Sequence, residues 1–344
     1  MNMSRIQDLS LRFALKSHAG RVRPLNEDAV GADPNIGLFV LADGLGGYNA
    51  GEIASTMAVS SLLSCLGAEL ELAHRSRDGS FDPARALRDA LVSRNDEIFR
   101  AALHSSMYEG MATTAVVAWF LGGRLWVAHA GDSRLYRYRS GRLEQVTRDH
   151  SFSQELLDAG MVTEDEARAL PAKNLVTRAV GASPVLEPEV HEHELEAGDI
   201  ILLCSDGLTE MVSDEDIRGL MCADEGDIAQ AARRLVESAN EAGGRDNCSV
   251  ILIRVDGVPI RVDAPAAALG KANGAEQHEE LHAGLQEPPA PAHAPGNGAK
   301  AAPPPAPAEA WRLHADRVPD PGIERLLAEA NALGVSGEAE RTGA

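Results

Sequence analysis

The chain has 344 residues, 44% of them apolar, and a formal net charge of -20. That length serves one large domain with extensions, or two domains, and the apolar share supports a sizeable core. A field this acidic repels phosphate backbones and anionic bilayers, which excludes nucleic acid and membrane surfaces as natural partners and leaves surplus carboxylates to gather divalent cations.

The N-terminal segment MNMSRIQDLS lacks the apolar stretch of a signal peptide. No uninterrupted apolar run reaches the ~20 residues of a membrane span. RFALKSH (12–18) alternates as an exposed-edge strand, and IGLFVLA (36–42) reads as a buried strand. That strand meets Asp43 and then a run of glycines, a pattern that suits a bare turn or a backbone approaching an ion or phosphate. GEIASTMAVSSLLSCL (51–66) and DPARALRDALVSRNDEIFRAAL (82–103) are amphipathic helices, the second with Asp82 as cap and Pro83 in its first turn. ATTAVVAWFL (112–121), RLWVAHA (124–130) and RLYRYRS (134–140) predict an antiparallel meander joined by tight glycine turns. SFSQELLDAGMVTEDEARAL (151–170) predicts two short helices around a glycine turn. DIILLCS (199–205) and CSVILIRV (248–255) are two more buried strands, with a helix over 227–243 between them. Strand runs with separate helix pairs argue for an α+β fold.

Composition shifts near residue 257. The stretch EPPAPAHAPGNGAKAAPPPAPAEA (287–310) cannot bury enough apolar surface to offset its ordering entropy, so 257–344 is expected to be a disordered linker and tail. Within it, Ile323, Leu326, Leu327, Ala330 and Leu333 fall at helical spacing, which predicts a short helix over 322–334 that either frays or docks on a partner. The four cysteines, Cys65, Cys204, Cys222 and Cys248, form no C-x-x-C pair and read as free thiols of a reducing cytoplasm.

Five aspartates lie at the margins of apolar strands: Asp28, Asp43, Asp132, Asp206 and Asp246, most beside a glycine. Carboxylates gathered at one end of a sheet repel one another, and a bound divalent ion removes that cost. Without a clustered His/Cys set, oxygen ligands favour magnesium or manganese over zinc or copper. Two such ions about 4 Å apart activate a water for in-line attack on phosphorus.

The ordered segments GRVRPLNEDA (20–29), ADGLGGYNAGEIAS (42–55), GMATTAVVA (110–118), AHAGDSRLYRYR (128–139), TRDHS (147–151), NLVTRAVGA (174–182), LLCSDGLTEMV (202–212) and GRDNCSVILI (244–253) resemble the PPM, or type 2C, metal-dependent Ser/Thr protein phosphatases in their bacterial form. The resemblance implies a central antiparallel β-sandwich flanked by helix pairs in αββα layers. It implies a catalytic domain over 10–256, with a flap at about 151–182 beside the site.

By the same resemblance Asp43 bridges two Mn2+ or Mg2+ ions, and the carbonyl of Gly44 adds to the first. Asp206 and Asp246 hold the second, and Glu27 and Asp28 hold its water shell. Asp132 serves a third, weaker ion shared with Asp206, and Arg23 grips the substrate phosphate with its fork of donors. Leu45 stands where animal members carry a histidine, so that residue does not protonate the leaving group and water is left to do so. His129 and His150 fall in motif segments as structural residues. The activity implied is a monomeric, cytoplasmic phosphatase acting on phosphoserine and phosphothreonine proteins and opposing a cognate Ser/Thr kinase. TRDHS, TRAVGA and LLCSDGL also resemble phosphatases that accompany type VI secretion kinases. The reading from another class is a catalytically inactive scaffold or phosphoprotein-binding regulator, which should have lost ligands.

Overall fold

A computed structural model describes residues 9–47, 50–76, 81–170 and 175–257. The tail beyond Gly257, and with it the helix expected over 322–334, lies outside the described residues.

Among the described residues, eleven strands and seven α-helices follow in the order β1 (Ser10–His18), β2 (Asp28–Asp33), β3 (Leu38–Leu45), α1 (Ala50–Ser76), α2 (Pro83–His104), β4 (Ala112–Thr113), β5 (Ala115–Leu121), β6 (Arg124–Ala130), β7 (Arg134–Arg139), β8 (Arg142–Gln145), α3 (Phe152–Asp158), α4 (Glu164–Ala169), β9 (Glu189–Glu194), β10 (Ile200–Cys204), α5 (Asp206–Thr209), α6 (Asp214–Ala223), α7 (Ile228–Glu241) and β11 (Cys248–Gly257). One sheet runs β1-β11-β10-β7-β8 and the other β2-β3-β5-β6-β9, with β4 added to β3. Every strand pairing is antiparallel.

Strand alternation assigns each sheet two buried faces. In β5, Val116, Ala118 and Phe120 face the other sheet, meeting Ile201, Leu203, Ile251 and Ile253. Val117, Trp119 and Leu121 of the same strand face α1 and α2. The far side of the β1-β11-β10-β7-β8 sheet carries Leu202, Val250 and Leu252 under α6 and α7. Four layers, α/β/β/α, result. Every residue of β5 is buried because both of its faces are covered.

Helix α1 has the length and hydropathy to cross a bilayer. Its apolar residues instead pack inside the protein, with Ala54, Ala58, Val59, Leu62 and Leu66 fully buried against the sheet and α2. Helix α2 starts as its sequence indicates: the Asp82 carboxylate accepts from the N–H groups of Ala84 and Arg85, and Pro83 follows. Helices α3 and α4 flank Gly160, whose φ of +65° supplies the left-handed turn between them.

The meander expected over 112–140 is corrected. β5 and β6 form a hairpin, but β7 belongs to the other sheet, paired with β10 and β8. The chain crosses between sheets at Gly131–Ser133. Edge strands β8 (RLEQ) and β9 (EVHEHE) escape a pattern search because their charged residues read as loop.

Candidate metal centre

All five aspartates sit at one end of the sandwich. Asp28 opens β2 and is the register partner of Asp43 in β3. Asp132 occupies the β6–β7 crossing, Asp206 follows β10, and Asp246 precedes β11. The two sheets meet there through two loop-borne carboxylates, one at the start of α5 and two from a strand pair.

Tight backbone approaches bring them together. A Cβ placed on Gly207 would lie 1.8 Å from the carbonyl oxygen of Asn247, so the segments bearing Asp206 and Asp246 touch through bare backbone. A Cβ on Gly131 (φ +112°) would meet Thr114 Cβ at 2.6 Å. The reason for Gly44 is also steric. A Cβ there would stand 2.2 Å from the Gly51 carbonyl oxygen and 2.6 Å from that of Glu27, so the first turn of α1 and the residue 27 backbone close on it. The sequence offers a turn or an approaching ion as the reason for Gly44; the packing demands a glycine by itself.

The backbone of Asp43 is fixed on three sides. Its N–H donates to Thr114 Oγ1 at 2.9 Å, and its carbonyl accepts from Thr113 Oγ1 and the Thr114 N–H, both at 2.8 Å. Asp28 is 1% exposed, and its Oδ2 accepts from Ser205 Oγ at 2.8 Å. Asn247 is the residue that sequence reasoning passed over. Its Nδ2 donates to the carbonyls of Ala19 (3.0 Å) and Leu25 (2.8 Å), and its Oδ1 accepts from the Glu27 N–H (2.8 Å). One buried amide thus ties the loop carrying Arg23, Glu27 and Asp28 to Asp246. The signal was there: an asparagine directly after a strand-end aspartate.

The electrostatics are those of buried carboxylates crowded together, with Arg23 on Asp246 and Arg134 near Asp132 as their cations. Burial, then the charges of Asp28, Asp206, Asp132 and Asp246, holds the Asp43 carboxyl well above the usual range. Asp206 is raised likewise by burial and by Asp132, Glu210 and Asp246. Asp28 and Asp132 are each pushed up to about 6, chiefly by burial. Burial also raises Glu27. Glu27 Oε1, Asp28 Oδ1 and Asp206 Oδ1 are buried with no hydrogen-bond partner. A buried acceptor left unsatisfied costs about 1–3 kcal/mol, more when charged. Cations held by oxygen donors satisfy all three atoms and remove the mutual repulsion, so the residues present fit Mg2+ or Mn2+.

Arg23 borders the cluster. Its Nη2 donates to Asp246 Oδ2 at 2.7 Å while its side chain stays 50% exposed, with further donors turned to solvent. Leu45 pairs with Ala112 at the end of β3 and offers no proton.

His129, His150 and Glu189 form a second group whose ligating atoms lie within 4.8 Å of one another. The two rings stack, centroids 4.6 Å apart at 17°, so their in-plane lone pairs do not converge on one ion. The Arg178 guanidinium, 3.2 Å from His150 Nε2 and 3.6 Å from Glu189 Oε1, already supplies the local cation. This group is a packing network, in keeping with the structural role expected of both histidines.

Beside the aspartates a cavity of about 770 Å³ opens between the flap and α5–α6, lined by Ser151, Gln154, Leu157 and Glu164 opposite Glu210 and Asp214. Asp132 and Asp206 close its inner end.

The family model for protein phosphatase 2C matches residues 16–249. The chain is 37% identical over 290 residues to the serine/threonine protein phosphatase PstP of Mycobacterium tuberculosis, a match covering 79% of this chain and 54% of that relative. It therefore spans about half the length of that relative. The solved catalytic domain of PstP in complex with two manganese ions superposes with a TM-score of 0.62 at 38% identity, covering 72% of this chain and 99% of that one. PppA, a key regulatory component of T6SS in Pseudomonas aeruginosa, superposes with a TM-score of 0.60 at 34% identity over 72% of this chain and 99% of its own.

Proposed function

Since the chain belongs to the protein phosphatase 2C family, we propose that it is a metal-dependent protein serine/threonine phosphatase whose site is the aspartate cluster. The observation that carries the reading is the set of orphaned buried oxygens on Glu27, Asp28 and Asp206 beside Asp43, within reach of one exposed arginine. In this reading Asp43, the Gly44 carbonyl, Asp206 and Asp246 would hold the paired Mn2+ or Mg2+ ions, Glu27 and Asp28 would hold their water shell, and Asp132 would serve a third, weaker ion. An inactive scaffold would not need to keep this full set of carboxylates.

When bound, the paired ions lower the pKa of water and neutralise charge developing at phosphorus. The protein's own groups do the rest. Thr113 and Thr114 lock the Asp43 backbone, so its carboxylate does not reorganise during the reaction. Asp246 holds one arm of Arg23, leaving the other donors to grip two phosphate oxygens as a fork. That pose presents the ester to water in line. Leu45 contributes no proton, so the leaving serine or threonine oxygen takes its proton from water.

The substrates in this reading are phosphoserine and phosphothreonine proteins, opposite a bacterial Ser/Thr kinase. The likeness to PppA supports a place in type VI secretion signalling. The setting is the cytoplasm, where the four unpaired cysteines stay reduced.

The test is hydrolysis of p-nitrophenyl phosphate and a phosphothreonine peptide with Mn2+ and with EDTA. Turnover is expected only with Mn2+, and Asp206→Asn should lower kcat at least a hundredfold while the circular dichroism spectrum is retained. Undiminished turnover in EDTA would sink the mechanism.

A further inference from the structure

We propose that His150 is a positioning residue for Asp132, tying the two ends of the flap to the turn that presents this carboxylate. The proposal rests on the reading of Asp132 as an ion ligand.

Asp132 follows Gly131 at the point where the chain crosses between sheets. Both polar groups of Gly131 are held by one residue: the His150 N–H donates to the Gly131 carbonyl at 3.0 Å, and the Gly131 N–H donates to His150 Nδ1 at 3.1 Å. The neighbours of His150 extend the grip. His129 Nε2 donates to the Arg148 carbonyl at 2.8 Å, and Arg134 forks onto Asp149 with contacts of 2.9, 3.0 and 2.6 Å. Residues 148–150 therefore clasp 129–134 on both sides of Asp132.

The other face of the same segment holds the flap. The His150 carbonyl accepts from the Thr177 N–H at 2.9 Å, the Phe152 N–H donates to the Leu175 carbonyl at 2.9 Å, and Ser151 bridges Val176. Flap entry and flap exit are joined at His150.

The ring has no freedom to turn. It is 4% exposed, it stacks on His129, and Nε2 donates to Glu189 Oε1 at 3.1 Å. The Gly131 N–H can only donate, so Nδ1 is the acceptor and the ring proton sits on Nε2, facing Glu189 Oε1 with the Arg178 guanidinium 3.2 Å away. Partners that hold a metal ligand from behind are worth about 10–100-fold in metal affinity. Ser151, Gln154 and Leu157 of the flap line the cavity that ends at Asp132, so the segment His150 anchors also walls the site.

The experiment is a calorimetric Mn2+ titration of the full chain and its His150→Asn, His150→Gln, His150→Ala and Asp132→Asn variants, each checked for its melting temperature. An asparagine places an acceptor where Nδ1 stands; a glutamine places its polar end where Nε2 stands. Asp132→Asn should remove the weakest Mn2+ site. His150→Gln and His150→Ala should weaken that site at least tenfold and leave the tighter ones within twofold. His150→Asn should restore it to within threefold of the native protein.

If His150→Gln and His150→Ala lower the melting temperature but keep the native isotherm while Asp132→Asn loses the site, the inference is overturned and His150 is only structural. Failure of His150→Asn to restore the site overturns the Gly131 contact as the cause. An unchanged isotherm in Asp132→Asn overturns the ligand reading itself, and the inference with it.

Discussion

Gly207 and Asn247 meet backbone to backbone so closely that a Cβ on the glycine would fall 1.8 Å from the asparagine carbonyl oxygen. The contact sets the spacing of Asp206 and Asp246, the residues on either side of it. Gly207→Ala should therefore force the two segments apart, with a stability loss on the order of 3 kcal/mol and loss of high-affinity Mn2+ binding. Gly219 in α6 has nothing within 4 Å, so Gly219→Ala should raise stability by about 0.5–1 kcal/mol through helix propensity. Chemical denaturation of both variants checks the pair. Equal effects from the two would remove the close approach as the reason for Gly207.

Arg23→Ala should lower kcat/KM for a phosphothreonine peptide by about 10–100-fold, the worth of a charge-assisted contact of roughly 1.5–3 kcal/mol. Arg23→Lys should recover little of that, because a point charge cannot replace the fork that Asp246 orients. Steady-state kinetics decide it. A change under twofold in both variants would take the phosphate away from Arg23.

His129 is fully buried and carries an orphaned Nδ1, and burial drives its pKa down to about 4. Glu189 opposes that shift, and His150 and His191 reinforce it. The sign follows from proton counting. Between the unfolded value near 6.5 and the folded value near 4, the unfolded chain binds more protons. Stability from this group is complete above about pH 6.5 and is lost as pH falls towards 4, by on the order of 3 kcal/mol. His129→Gln, which keeps a donor toward the Arg148 carbonyl, should flatten the melting temperature between pH 6.5 and 4.5. A slope equal to the native one would assign the acid sensitivity elsewhere.

A chain ending at residue 260 retains the whole of β11, whose last residue Gly257 partners Ser10. Turnover of p-nitrophenyl phosphate should match the full chain within twofold, since among the described residues the site ends at Asn247. A loss of tenfold or more would place part of the tail in the site.

Much of this site was legible from local pattern. Asp43 after LFVLA and Asp206 after IILLCS announce themselves because an apolar strand seldom ends on a carboxylate without reason. Other parts were hidden for identifiable causes. β2, DAVGAD, holds a glycine, two alanines and two aspartates that score poorly as strand, yet it sits buried beside β3. β7 looked like the third strand of a meander because a tight Gly131–Asp132 turn between strands is the local signature of a hairpin. Gly44 was tied to an ion because the residues that crowd it, Gly51 and Glu27, are named only by three-dimensional contact.

The sequence by itself determined most of the elements, their apolar faces and the position of five aspartates at strand margins, since these depend on residues a few places apart. The tertiary structure alone decided that Asp28, Asp43, Asp132, Asp206 and Asp246 converge, which glycines the convergence requires, and that 148–150 clasps the Asp132 turn. Those outcomes depend on where the chain crosses between sheets, and a crossing is settled by the burial of two apolar faces against each other across more than 200 residues of chain, not by any neighbour in sequence.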